Sequence, residues 1–233
     1  MTKSNALIFG YNEYGIEIAK NIVNRYESIT IFALDDIPIS VDNKFGFNIE
    51  KFDLSDDWNY IDSKYHLEDS KIFCALMEES ENIFLTIALR SAFKNVFVIA
   101  LAKNNEDANK LKMAGANKVI PIVETTANII ADMLKKPILT DVLHDILYED
   151  GDLKVVQIKV SKEEYFDNKY PADIEWSRYH GILVLSIVHE DMSREFIYSS
   201  KSKHNFIKNG DILIVVGYET DLNDFRKMVG DYA

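Results

Sequence analysis

Gly10-Tyr11-Asn12-Glu13-Tyr14-Gly15 stands between the apolar run Ala6–Phe9 and a stretch in which Ile16, Ala19, Ile22 and Val23 recur at helical spacing. A strand that runs through two glycines five apart into a helix has the spacing of the dinucleotide fingerprint G-x-G-x-x-G. The three positions have separable physical roles. Gly10 permits a tight turn, and Gly15 lets helix and strand pack closely. The middle position, where the backbone approaches a pyrophosphate, is Asn12, a residue that tolerates left-handed geometry better than most. Asp35 lies twenty residues past Gly15, at the end of the next predicted strand, where an acid grips a ribose 2′-hydroxyl and disfavours a 2′-phosphate. A plainer reading, in which the glycines and Asp35 only shape turns, stands beside the binding one.

Outward from this motif, strand and helix alternate. The pattern predicts strands at Ile29–Leu34, Phe47–Phe52, Ile72–Leu76, Val96–Ala100 and Lys118–Ile122. It predicts helices at Glu81–Phe93, with Ile83, Phe84, Ile87, Ala88 and Ala92 inward, and at Glu106–Met113, stopped by Gly115 as a left-handed cap. Such alternation, with short continuous apolar strands, implies an α/β fold: a Rossmann-like, doubly wound parallel sheet covered by helices on both faces. Two helices follow. Thr125 or Thr126 is a candidate cap for the first, which carries Ile129, Ile130, Met133 and Leu134 and ends at Pro137. The second carries Ile138, Leu139, Val142, Leu143, Ile146 and Leu147 as one apolar stripe. The unit before it already looks complete, so the stripe is expected to pack on another chain.

After Gly151 the character changes. Leu153–Val160, Ile182–Val188, Phe196–Ser199 and Ile212–Val216 read as strands, Asn209-Gly210-Asp211 as a turn, and Leu222–Val229 as a terminal helix. The expected organisation is a Rossmann-like domain over 1–122, crossover and dimerisation helices over 123–150, and a small α+β domain over 151–233. Charge supports a boundary near Glu149–Asp152: residues 1–150 carry 15 basic and 24 acidic groups, a net −9, while 151–233 carry 11 and 14, a net −3.

Composition excludes several classes. The 233 residues are 47% hydrophobic and 27% charged, the balance of a folded chain. A net charge of −12 and a pI near 4.9 argue against nucleic acid and against docking to anionic lipid. No apolar run approaches the ~18–20 residues that cross a bilayer, and no signal peptide is evident, so a cytoplasmic location without direct membrane insertion is expected. One cysteine, Cys74, rules out an internal disulfide framework and fits a reducing compartment. The five histidines, His66, His144, His180, His189 and His204, show no zinc spacing. Glu149, Asp150 and Asp152 are weak candidates for a hard cation such as Ca2+, and an acidic solvated turn is the better reading of them. Tyr11 and Tyr14 flank the fingerprint where a base can stack.

Across its whole length the chain resembles an RCK domain (regulator of K+ conductance), the TrkA-N plus TrkA-C pair of potassium channels and transporters. The opening strand, glycine turn and acid match Ala6–Gly15 and Asp35. The acid of the family's G-D-A-T stretch matches Asp53, followed by Leu54. Its T-D-D-x-x-N segment resembles Met77–Asn82. The phrase L-K-x-A-G-A-D-x-V-I-S-P is nearly reproduced over Leu111–Pro121, and the late G-D-x-L-x-x-x-G over Gly210–Gly217. The resemblance implies a cofactor site of Gly10, Tyr11, Asn12, Glu13, Tyr14, Gly15, Asp35, Asp36, Asp53, Leu54, Met77 and Lys103, with NAD(H) or an adenine nucleotide (AMP, ADP or ATP) as ligand. It also implies a non-catalytic gating role, a homodimer or octameric ring, and a membrane-embedded K+ channel or transporter as partner. The pore is then expected in a separate subunit or a further portion of a larger protein. The match departs from the family at three phosphate-side positions. Asn12 and Phe52 replace glycines, and Leu101 stands where I-A-R-A carries an arginine, with Lys103 near. A mononucleotide held by Asp35 and Asp53, and an empty site, both stay open. An NAD-dependent oxidoreductase is the alternative class, but residues 152–233 offer no recognisable proton donor for it. A redox-sensing repressor lacks its basic recognition helix.

Overall fold

The computed structural model describes residues 5–39, 46–55, 57–148, 151–166, 169–176, 179, 181–197 and 205–231. It divides into two compact units, residues 1–131 and 132–233.

The first unit is built on six parallel strands: β1 (Ala6–Phe9), β2 (Ile29–Leu34), β3 (Asn48–Phe52), β4 (Lys71–Cys74), β5 (Phe97–Ala102) and β6 (Lys118–Pro121). Their order is β3-β2-β1-β4-β5-β6. This is the doubly wound arrangement, with its reversal of strand order between β1 and β4. Ala6 of β1 lies opposite Ile29 of β2 on one side and Lys71 of β4 on the other. Between the strands run α1 (Glu13–Ile22), α2 (Trp58–Tyr65), α3 (Glu79–Ala92) and α4 (Asn105–Met113). The alternation of the pleat sends β1 side chains to two cores. Leu7 and Phe9 join Phe32, Phe52, Ile72 and Val98 under α2, α3 and α4. Ala6 and Ile8 join Ile29, Ile31 and Ala19 under α1. Phe9 stacks on Phe32 at 4.5 Å between ring centroids and meets Phe52 edge-on at 5.0 Å. Cys74 is fully buried here, and burial pushes its thiol up to about 12, so it is packing and not a nucleophile.

Several expectations need correction. The segment Trp58–Tyr65 forms a helix, α2, that the apolar pattern did not suggest. In α3 the buried residues are Asn82, Leu85, Thr86 and Leu89, while Phe84, Ile87 and Ala92 are exposed. Two polar residues on the inner face break its apolar period and shift the apparent stripe by one position. β1 and β2 are buried almost throughout, but β5 alternates buried and half-buried residues, so the helical cover is uneven across the sheet. Gly115, at φ +103°, does follow α4, and Ala116 N donates to Leu111 O at 3.1 Å as the cap closes. The helix after β6, α5 (Ile122–Lys135), starts directly from the strand, so Thr125 and Thr126 lie inside it and do not cap it. None of its residues is buried.

The second unit begins inside α5, at Asp132, and continues through α6 (Pro137–Tyr148), β7 (Leu153–Lys159), β8 (Ile182–Val188), β9 (Arg194–Phe196), β10 (Ile212–Tyr218) and α7 (Glu219–Val229). The strands form an antiparallel sheet in the order β7-β10-β8-β9, with a register shift between Ile214 and Val215. Short 3-10 turns at Glu163–Phe166 and Pro171–Asp173 carry Phe166 and Pro171 inward. Ile158, Phe166, Trp176, Ile187, Leu213 and Phe225 make the core. Asp211 of the late Gly-Asp pair is buried. Its Oδ2 accepts from Lys208 N at 2.9 Å and lies 3.0 Å from His189 Nδ1. Phe196 ends β9 where a strand was expected to begin, and residues 198–199 lie outside the described residues, as do His180 and His204. On α6, Ile138, Val142, Leu143 and Leu147 of the expected stripe are exposed and Ile146 is half-buried; the Leu139 side chain lies outside the described residues. Among the described residues no helix is long and apolar enough to cross a membrane.

The two faces of α3 can be told apart by truncation. Leu85→Ala is expected to destabilise the first unit by about 2–5 kcal/mol in urea unfolding, and Phe84→Ala by less than about 1 kcal/mol. Equal losses would place Phe84 in the core.

Candidate functional site

Because strand order reverses at β1 and β4, α1 and α3 leave the sheet on opposite faces and open a crevice at the carboxyl ends of the strands. The backbone turns there are extremely close. Gly10 has φ +143°, and a Cβ on it would lie 2.3 Å from Ala75 O; a Cβ on Gly15 would lie 1.9 Å from Gly10 O. Only glycine fits at either position. Asn12 does not use the left-handed geometry that its residue type tolerates: at φ −149° it is extended and caps α1. Its Oδ1 accepts from Gly15 N at 3.1 Å, and its Nδ2 donates to Ala75 O at 2.7 Å. One amide thus satisfies a helix N–H and a strand-end carbonyl across the reversal.

The facing turn is held by a second asparagine. Buried Asn82 accepts from Leu76 N at 2.9 Å and donates to Leu76 O at 2.8 Å, and Thr86 Oγ1 donates to Asn82 O at 2.7 Å. This clamp fixes Met77 and Glu78 beside the crevice. A cleft of about 440 Å³ opens here, and Tyr14, Met77, Glu78, Glu79, Leu101 and Lys103 are among its lining residues. Its wall also includes Ile122 and Val123, the first two residues of α5. Val123 N donates to Lys103 O at 3.2 Å, and Glu124 Oε1 accepts from Asn105 N at 3.0 Å. The cleft is therefore bonded to the start of α5. Glu78, Glu79, Ile122, Val123 and Glu124 were not among the sequence candidates. Only the acid-rich run Glu78-Glu79 carried a local signal.

The charges around the cleft follow from these turns. Lys110 meets Glu79 at 2.9 Å, Glu106 at 3.1 Å and buried Asp107 at 3.5 Å. The hydrogen bond from Lys110 holds the Glu79 carboxyl below its ordinary range, while burial pushes Asp107 upward. Glu81 is also raised, first by burial and then by repulsion from Glu78 and Asp36. Carboxylates crowd this end of the sheet.

The remaining sequence candidates fall elsewhere. Asp35, Asp36, Asp53 and Leu54 stand at the ends of β2 and β3 and are not among the cleft's lining residues. Lys51 Nζ donates to Leu34 O at 3.0 Å, to Asp35 O at 2.9 Å and to Ile37 O, which pins the turn carrying Asp35. Asp53 Oδ1 accepts from Ser55 N at 2.8 Å and from the Ser55 hydroxyl, and these bonds hold its carboxyl below the ordinary value. Leu54 packs against the larger core and Tyr11 against the α1 core. Tyr14 and Glu13 are exposed in the first turn of α1. Glu149 and Asp150 lie outside the described residues, Asp152 is exposed, and no group of three metal-ligating side chains occurs among the described residues.

A dinucleotide can be tested against this donor set. Its pyrophosphate needs free N–H groups and positive potential at a helix N-terminus. Here the Asn12 amide occupies the turn, and the first turns of α1, α3 and α4 carry Glu13, then Glu79 and Glu81, then Glu106 and Asp107. One N–H of the α1 start is taken and acids stand in all three first turns, so this donor set disfavours a pyrophosphate. Ribose hydroxyls and a flat base, which meet carboxylates, Tyr14 and Met77, fit it.

Fold and crevice together define a Rossmann-type α/β domain followed by a small α+β unit. The TrkA-N domain profile matches residues 6–122, so the chain belongs to the TrkA-N family. Over 243 aligned residues it is 25% identical to probable potassium channel protein 2 of Methanocaldococcus jannaschii, covering 97% of this chain and 67% of that one. It is 24% identical over 167 residues to potassium channel protein 1 of the same organism, covering 71% of this chain and 49% of that one. The chain thus spans about half to two thirds of these relatives. Among solved structures, the GsuK channel superposes at TM-score 0.51 with 17% identity, over 99% of this chain and 39% of that one, and the NAD-bound GsuK channel at 0.50 with 17% identity and the same coverage. The likeness is one of fold.

Replacing Asn12 tests the crossover tie. Asn12→Ala removes the cap and the bond to Ala75 O and is expected to cost about 2 kcal/mol in urea unfolding. Asn12→Ser keeps a capping oxygen and is expected to lose about half as much. An unchanged midpoint in both variants would contradict the tie.

Proposed function

We propose that this chain is a ligand-sensing regulatory domain of a potassium transport system and acts by binding without catalysis. The observation that carries the reading is the bonded contact between the cleft and the start of α5. A ligand lodged against Leu101, Lys103 and Val123 touches the β5–α4 turn and the first turn of α5 at once. A ligand that prefers one placement of α5 shifts the population toward it by its differential affinity. The family membership and the two potassium channel proteins among its relatives support the transport setting.

The output runs through α5 and α6. Ile129, Ile130, Met133 and Leu134 on α5, and Val142, Leu143 and Leu147 on α6, are exposed along two helices. So large an apolar surface favours a covering partner. In this reading the partner is a second copy, the pairs assemble further into a ring, and the ring pulls on a membrane-embedded channel or transporter at the cytoplasmic face. The organisation as a sensing domain over 1–122, crossover helices over 123–150 and a trailing domain over 151–233 is part of the same proposal. The ligand is a small adenine nucleotide or nucleoside, with its adenosine portion as the recognised part.

Sedimentation at micromolar concentration should show a dimer or larger species, and Leu143→Glu should shift it toward the 26.8 kDa monomer. A wild-type chain that sediments only as a monomer would overturn the pairing. Steady NADH consumption with a panel of carbonyl compounds would overturn the non-catalytic reading.

A further inference from the structure

We infer that the cleft selects its ligand against phosphate charge: it takes a nucleoside, and its affinity falls from adenosine through AMP and ADP to ATP and NADH. The inference rests on the ligand-sensing reading above and sharpens the chemical class of the ligand.

Four observations converge on it. At the turn that would seat a pyrophosphate, the chain's own Asn12 amide already takes one helix N–H, that of Gly15, and bridges to Ala75 O. Of the five helices that follow strands of the parallel sheet and so begin at its carboxyl end, α1, α3, α4 and α5 carry acids in their first turns, which meet the positive end of each helix dipole, and α2 carries none. The cleft lining holds two carboxylates, Glu78 and Glu79, against one ammonium, Lys103. The nearest further ammonium, Lys110, is already shared among Glu79, Glu106 and Asp107.

Chemistry then sets the ligand class. Carboxylates accept hydrogen bonds, so a ligand that suits them brings donors: ribose hydroxyls and an exocyclic amine. A phosphate brings only acceptors and negative charge, and each added phosphate increases repulsion from Glu78 and Glu79. Apart from Asn82, whose amide is bonded to Leu76, the rest of the lining, with Leu76, Met77, Leu101, Ile122 and Val123 beside Tyr14, is mainly apolar and suits the face of a base. Lys103 alone offers attraction to a first phosphate, so AMP stands next after adenosine.

Isothermal titration of the full chain with adenosine, AMP, ADP, ATP and NADH, without divalent cations, tests the order. At about 50 mM salt, adenosine is expected to bind at least roughly tenfold tighter than ATP, and the gap is expected to narrow at about 300 mM. Glu78→Gln should narrow it at low salt. Leu101→Arg, which adds a guanidinium to the lining, should raise ATP affinity relative to adenosine. ATP or NADH binding as tightly as adenosine to the wild-type chain would overturn the inference while leaving a nucleotide sensor standing. So would a gap unmoved by both variants. Binding of none of the five would overturn the adenine-ligand reading itself, and this inference with it.

Discussion

Backbone polar groups at the carboxyl ends of β1 and β4 must be satisfied where two chain connections pass within contact distance. An unpaired buried amide or carbonyl costs about as much as a lost hydrogen bond, so that geometry forms only when partners are supplied. Gly10 and Gly15 remove the side chains that would collide, and two asparagines supply the bonds. Asn12 bridges α1 to Ala75, and Asn82 folds both its amide groups onto Leu76. The crevice is therefore shaped by the chain itself, before any ligand arrives.

This self-sufficiency has an electrostatic consequence. In a dinucleotide site, the helix N-terminus waits for an anion. Here one N–H, that of Gly15, and the positive end are already matched by Asn12 and Glu13; the first turns of α3 and α4 carry acids of their own, though α3 has no side-chain cap bond. What is left is a cleft with acceptors on one side, apolar walls on the other and the beginning of α5 as part of its boundary. In the proposed reading, the cleft at the carboxyl end of the sheet holds the adenosine part of a nucleotide and disfavours its phosphates. In the proposed mechanism, covalent continuity and two hydrogen bonds carry coupling to α5, with no long relay needed.

Much of this was legible in the sequence where the physical signal is local. β1 and β2 read correctly because β-branched and aromatic runs end at Gly10 and at Asp35-Asp36, and the cap after α4 read correctly from Gly115. The face of α3 did not, because Asn82 and Thr86 are polar residues buried to hold backbone, which a hydrophobic pattern cannot foresee. α2 is short, and its inward residues, Ile61 and Tyr65, are too few to set a period. The start of α5 was missed because the helix leaves β6 without a capping residue. At the site, the glycines and Asn12 were visible as a motif, but the role of Asn12 depends on Ala75, 63 residues away, and the contact of Glu124 with Asn105 spans 19 residues. Contacts made at such range leave no periodic trace.

In the proposed mechanism, occupancy of the cleft is felt at the start of α5. Hydrogen–deuterium exchange on the full chain, with and without saturating adenosine, measures it most directly. The account predicts slowed exchange at Leu76–Met77, at Lys103–Asn105 and in the first turn of α5 together, and in Glu124→Ala the slowing at α5 is lost while that at Leu76–Met77 remains. Saturated ligand that slows Leu76–Met77 and leaves α5 unchanged in the wild-type chain would contradict it.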